Sequence, residues 1–349
     1  MRRNTLRNIY IVILLAMLAL PATAATQDEP APTEPINIKE LIFGHLADSY
    51  EWHIAGHTAI HLPCIVYTQE QGLDVFMSSQ IEEGKTYKGY HIDHTSGKIV
   101  NATGVRPLDI SITKNVAEIL IVAFILCTTI LSLAAWYKRH GYKTAPGGFV
   151  GMMEALIIFL HVDVAKTSIG HGFERFSPYL ITVFLFILTC NLLGLIPVFP
   201  GGANVTGNIA VPMVLAFTAW VAVNCFAPKA YFKSIFWPDV PLALKAIPLI
   251  PTIEFIGVFT KPFSLTIRLF ANILAGHIII LSLTGIIFIM WQQGAVMGNW
   301  MGTMLGGAMN VVSVAFCIFM NCLELLVAFV QAYVFTMLTA NFIGLAHNE

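Results

Sequence analysis

The chain has 349 residues, 56% of them hydrophobic and only 11% charged, with a net charge of −1. A soluble domain carries about 25% charged residues, so the composition excludes an ordinary globular protein and points to a polytopic membrane protein. The near-zero net charge supplies no basic field for a nucleic-acid partner.

Residues 1–24 read as a signal peptide. Arg2, Arg3 and Arg7 precede the apolar run Ile9–Leu20, which is short for a span, and Ala22-Thr23-Ala24 supplies a cleavage pattern. The alternative is an uncleaved anchor. Export puts residues 25–113 outside the cytoplasm. That stretch opens on the Pro/Glu linker TQDEPAPTEP. It continues with AIHLPCIVYT, GLDVFMSS and GYHIDHTSGKIVNATG, which read as short strands and turns of a small β-rich domain. His53, His57 and His61 would line one face if the segment were helical, yet no strong zinc motif accompanies them, so no metal or cofactor site is expected.

The membrane domain, 114–349, then begins. Val116–Trp136 is a first span, and Lys138, Arg139 and Lys143 mark its cytoplasmic end. Residues 147–177 mix polar and apolar positions and predict an amphipathic interfacial helix. Tyr179–Pro197 and Ile209–Cys225 are the next spans, joined by a loop without Lys or Arg and followed by Lys229, Lys233 and Lys245. Thr252–Met290 and Met301–Ala346 are each about 60 Å long if helical, twice the hydrocarbon thickness. Each is either two spans or one long helix, tilted or bent. The Gly-containing linker WQQGAVMGNWMGTMLGG makes a hairpin between them. The fold class is thus all-α and polytopic, with about five membrane helices and a β-rich extracytoplasmic region. Of the six cysteines, five lie in apolar segments and Cys64 stands alone in the polar part. They read as packing residues rather than a disulfide framework.

Ionisable residues are scarce in the last two segments. From residue 269 to 349 there is no Lys or Arg, and His277 and Glu324 are the only acid and histidine before the terminal His347 and Glu349. Arg268 is a permanent charge inside apolar helix, which costs about 2.5–3.5 kcal/mol on insertion scales. Such groups mark ion pathways. Glu254, Lys261 and Arg268 recur every seven residues and Ser264, Arg268 and Asn272 every four, forming one stripe. Asn310, Ser313, Cys317, Asn321, Glu324, Ala328 and Gln331 form a second.

A hairpin centred near residue 300 sets residue i level with roughly 600 − i, by equal rise per residue. Arg268 then lies level with about 332, beside Gln331, and His277 with about 323, beside Glu324. An imidazole titrates near neutrality, so an imidazole–carboxylate pair can relay protons. The same pair could instead be a structural ion pair, and Asn272 and Gln331 could be interhelical hydrogen-bond partners.

KPFSLTIRLFANILAGH, ELLVAFVQAYVFTMLT and TCNLLGLIP resemble the signatures of subunit a of F-type ATP synthases, and the resemblance covers residues 112–346. It implies a non-catalytic proton-channel subunit in the bacterial inner membrane, with the carboxyl terminus cytoplasmic. Its last two helices would face a rotating ring of c subunits. Its other partners would be a b-type stalk and the soluble ATPase sector. Arg268 maps onto the arginine between two half-channels. Asn272, His277, Glu324 and Gln331 map onto the outer half-channel, and Glu254 and Ser264 onto the inner one. In the best-known bacterial pattern the histidine and carboxylate stand exchanged relative to His277 and Glu324. A substrate transporter with a buried Arg/His/Glu site is the alternative. It would favour repeated halves with paired broken helices, which the sequence lacks. An intramembrane enzyme is a third class, but H-E-x-x-H and G-x-S-x-G are missing and the buried arginine would lack an explanation; G-x-x-x-x-G-K-[ST] is missing too, as expected of a stator with no nucleotide motif of its own.

Overall fold

The computed structural model describes residues 48–348 except 56–57, 70–71, 82–84, 94–96, 103, 142–143, 197–200, 237–248 and 297–299. The expected signal peptide and linker lie outside the described residues.

Short strands precede the helices: β1 (Glu51–Ala55), β2 (Thr58–His61), β3 (Pro63–Thr68), β4 (Gly72–Met77), β5 (Tyr90–Ile92), β6 (Ile99–Asn101) and β7 (Leu108–Asp109). All pairings are antiparallel: β1 with β2, β5 with β6, and β4-β3-β7 in one sheet. Alternation explains β3 and β4. Cys64, Val66, Asp74 and Phe76 point inward, while Tyr67, Leu73, Val75 and Met77 point out. The inner face packs with Tyr50, Ile81, Tyr90 and Ile99. The β-rich expectation holds, with β1 and β7 added. His53 and His61 lie on paired strands, so the helical histidine face does not form.

Cys64 is fully buried in that core. Burial, with a smaller contribution from the Asp109 charge, pushes its thiol up to about 12. At pH 8 only about one thiol in 10⁴ is then ionised. Iodoacetamide is expected to leave Cys64 unmodified in the native chain and to label it after denaturation, as read by peptide mass spectrometry. Rapid native labelling would contradict this packing.

The helical part comprises α1 (Lys114–His140), α2 (Gly148–Ile158), α3 (Phe173–Gly194), α4 (Ala210–Cys225), α5 (Lys229–Phe236), α6 (Leu249–Val296) and α7 (Trp300–Asn348). The β region caps α1 directly. The Lys114 N–H donates to Ser49 O and the Asn115 N–H to Asp48 Oδ1, satisfying donors that a helix start leaves open. Lys138, Arg139 and His140 fill the last turn, where the helix dipole favours cations, and Gly141 ends it at φ 71°. α2 continues into a π-helical stretch, Phe159–Lys166, and a last turn to Ile169.

Among the described residues five helices are long and apolar enough to cross a membrane: Lys114–His140, Gly148–Ile169, Phe173–Gly194, Thr252–Ile287 and Asn310–His347. The number matches the expectation, but the set differs. Gly148–Ile169, read as interfacial, qualifies by length and composition. α4 has only 16 residues, about 24 Å of helix. The two long apolar segments are single helices of 48 and 49 residues. The linker expected to form the hairpin is itself largely helical, α6 running to Val296 and α7 starting at Trp300.

The main core joins the π segment, α3, α6 and α7 through Leu160, Phe184, Leu269, Phe335 and their neighbours. Leu265, Leu269 and Ile273 give α6 its inward stripe at steps of four. α7 turns Glu324, Ala328, Gln331, Phe335 and Thr339 inward. Near the end of α7, Gly344 packs against the Ser168 carbonyl so closely that a Cβ would meet backbone.

Candidate functional site

The site is built on the antiparallel pair α6 and α7. Contacts fix their register: Lys261 with the Phe342 ring, Asn272 with Gln331, His277 with Glu324, and Thr284 with Cys317. Each pair sums to between 601 and 603, close to the spacing rule drawn from a turn near residue 300.

His277 Nδ1 lies 2.6 Å from Glu324 Oε1, with side-chain exposures of 18% and 5%. The approach is short in distance but not aligned as a hydrogen bond. Gly276 makes it possible, because a Cβ there would stand 3.0 Å from Glu324 Oε1. One turn toward Arg268, the Asn272 amide donates to Gln331 Oε1 at 2.8 Å. Gln331 is thus engaged by Asn272, and the pairs on either side set Arg268 level with about residue 335 of α7, a few positions beyond what the simple rule gave.

Arg268 is not drawn into the bundle. It is exposed on the outward side of α6 with Ser264, between the exposed Phe263 and Ile267 and the buried Leu269. No carboxylate among the described residues forms an ion pair with it. Glu254 is likewise exposed, two turns from Lys261 on the same helix. The sequence-predicted residues therefore divide. His277 meets Glu324 and the exposed Asn272 reaches the buried Gln331, two pairs that each join α6 to α7, while Arg268, Ser264 and Glu254 are exposed.

Chemically, the imidazole and the carboxylate can exchange a proton, while the two amides serve as hydrogen-bond donor and acceptor beside them. The outer face presents a fixed guanidinium to whatever covers α6. The family described as ATP synthase A chain matches residues 116–344. The chain belongs to that family. A family described as a domain of unknown function (DUF8433) matches residues 41–117. The ATP synthase subunit a of Chlorobium phaeobacteroides is 49% identical over 248 residues, 69% of this chain and 67% of its own. The ATP synthase subunit a 2 of Chlorobium luteolum is 39% identical across 93% of this chain and 81% of its own. The ATP synthase subunit a 2 of Chlorobaculum tepidum is 37% identical across 99% of this chain and 93% of its own. Full-length relatives therefore include the amino-terminal region.

For a member of the ATP synthase A chain family, the polar core extends beyond the residues that spacing singled out. Asn191 on α3 donates to the Ala328 carbonyl on α7 at 3.2 Å and accepts from Thr206 at 2.7 Å. Glu118 on α1 is fully buried and accepts from the Ala203 N–H at 2.9 Å. His161, in the π stretch, is paired with Ser177 at 2.6 Å and stays apart from the His277 group. The signal for Asn191 was its position within TCNLLGLIP. Glu118 carried the signal of an acid inside a span, at its first turn.

Proposed function

We propose that this chain is the membrane stator of an F-type ATP synthase, carrying protons between two half-channels beside a ring of carboxylate-bearing c subunits. The observation that carries the reading is the exposed Arg268. A guanidinium stays charged at any working pH and matches a carboxylate bidentately. On the lipid-facing side of an apolar helix it calls for an anionic partner from another subunit. A passing ring carboxylate is such a partner. Held ionised by Arg268, it releases its proton on one side and accepts another on the other. The guanidinium blocks direct leakage between them.

His277, Glu324, Asn272 and Gln331 belong to the outer half-channel in this reading, Ser264 and Glu254 to the inner one. The carboxylate and histidine keep their composition although their positions are exchanged. The relay therefore survives with the imidazole on α6 and the acid on α7. The chain catalyses no bond-making itself. It works with the ring, a b-type stalk and the soluble ATPase sector in the inner membrane.

Orientation follows from charge. Lys138 and Arg139 in the last turn of α1 with Lys143 beyond it, and Lys229, Lys233 and Lys245 after α4, belong to the cytoplasm by the positive-inside rule. With α2 along the cytoplasmic interface, α1, α3, α4, α6 and α7 cross in alternation. The β region is then outside and the carboxyl terminus inside. If α2 crossed as well, Lys229 and Lys233 would lie outside. A solitary transporter would have its charge satisfied within its own bundle, and Arg268 is not. Purification from membranes under mild detergent is expected to recover the chain with an oligomeric ring and ATPase activity. A solitary chain that retains transport would overturn the proposal.

A further inference from the structure

Glu118 is a fully buried carboxylate one turn into a membrane helix. Its Oε2 is held by the Ala203 N–H, while Oε1 has no hydrogen-bond partner among the described residues. A buried acid left half-satisfied is costly and needs a reason. Lys114, one turn earlier on the same helix, is the ionisable group whose charge it feels, and the Cys190 thiol on α3 feels the charge of Glu118 in turn. Neither supplies a hydrogen bond.

Ala203 links this acid to the His277 group. Its carbonyl oxygen lies 3.2 Å from where a Cβ of Gly194 would stand, and His277 Nε2 lies 3.8 Å from the same point. These distances bring Ala203 O and His277 Nε2 within about 7 Å of each other, a gap that one or two waters can bridge. Gly194 keeps the gap free of a side chain. The two nitrogens of His277 then face different ways: Nδ1 toward Glu324 and Nε2 toward Gly194 and Ala203. The loop carrying Ala203 is itself pinned from outside. The Trp52 indole N–H, on β1, donates to the Gly201 carbonyl at 3.0 Å in a buried contact.

We propose that Glu118 is the outer carboxylate of the proton path and passes protons through water to His277 Nε2 across the opening left by Gly194. The inference rests on the half-channel reading above. In each transfer the O–H bond of protonated Glu118 breaks and the first of a chain of waters takes that proton, while the last water of the chain gives one to Nε2. The N–H bond at Nδ1 then breaks as the Glu324 carboxylate gains a proton. Exchange with water returns the imidazole to its starting tautomer, and the outer solution reprotonates Glu118. The β region, through Trp52 and Gly201, positions the Ala203 N–H that orients the acid.

The test uses the whole complex in membrane vesicles, with ATP-driven proton pumping and co-isolation of the ring measured for Glu118→Gln, Glu118→Asp and Arg268→Ala. Assembled Glu118→Gln is expected to lose at least about tenfold in pumping rate, as removal of a proton-transfer group does. Glu118→Asp is expected to recover most of it, since a carboxylate set back by one methylene still exchanges protons through water. Normal pumping by Glu118→Gln overturns the inference, and so does an assembled Glu118→Asp complex as impaired as Gln. If Glu118→Gln does not assemble, Glu118→Asp decides: pumping sustains the inference and an assembled, silent complex overturns it. Arg268→Ala separates the two levels. Normal pumping there sinks the half-channel reading itself, whereas a silent Arg268→Ala beside a normal Glu118→Gln sinks only the role of Glu118.

Discussion

Arg268→Ala is expected to leave an assembled complex that no longer pumps protons with ATP. The side chain is exposed and forms no ion pair with this chain, so its removal breaks no packing that holds α6 to α7. Leu265, Leu269 and Ile273, which do hold it, are untouched. Loss of a central arginine even relieves about 2.5–3.5 kcal/mol of insertion cost. A fold-level explanation for lost pumping is therefore weak. The functional effect should be near complete, because no other cation among the described residues lies between Lys261 and His277 on α6. Arg268→Lys should recover little, since an ammonium lacks the planar fork and deprotonates more readily when buried. Coupled pumping near the normal rate in Arg268→Ala would make Arg268 a structural charge.

Glu324→Gln is the second large effect. Glu324 is 6% exposed and faces His277 at 2.6 Å. Glutamine keeps the shape but cannot take a proton from the imidazole. A fall in pumping of about 10²–10⁴-fold is expected, the usual weight of a positioned proton-transfer group. Removing one partner of a buried ion pair costs several kcal/mol where it leaves the other charge unpaired, so assembly of the variant complex is measured beside pumping. The double variant His277→Glu with Glu324→His rebuilds the pair in the opposite order and should recover part of the rate. The single exchanges should not, since each leaves two like groups facing one another. Equal pumping by Glu324→Gln and the unaltered complex would make the pair merely structural.

The meeting of His277 with Glu324 was legible in the sequence because it depends on few things. Two long helices joined by a short turn have equal rise, so a single turn position fixes every pair. The facing of Arg268 was less legible. Its four-residue stripe with Ser264 and Asn272 does not say which side of α6 meets α7. The apolar residues at 265, 269 and 273 decide that, through packing against α3 and α7. Glu118 was not singled out, because an acid near the start of a span reads as a boundary residue. Its burial comes from a loop 85 positions later in the chain. β1 and β7 escaped notice for a similar reason. β7 is two residues long and exists only by pairing with β3. His53 and His61 follow helical spacing, yet they sit on paired strands whose register is set by cross-strand bonds.

Passive proton permeability tests the central claim most directly. Vesicles would be stripped of the soluble ATPase sector, energised by a potassium gradient, and compared with and without Arg268→Ala at equal amounts of assembled membrane sector. If the guanidinium is the barrier between two half-channels, the variant admits protons faster than the unaltered sector and without ring rotation. An unchanged or slower proton flux, with the complex intact, would contradict a barrier at Arg268.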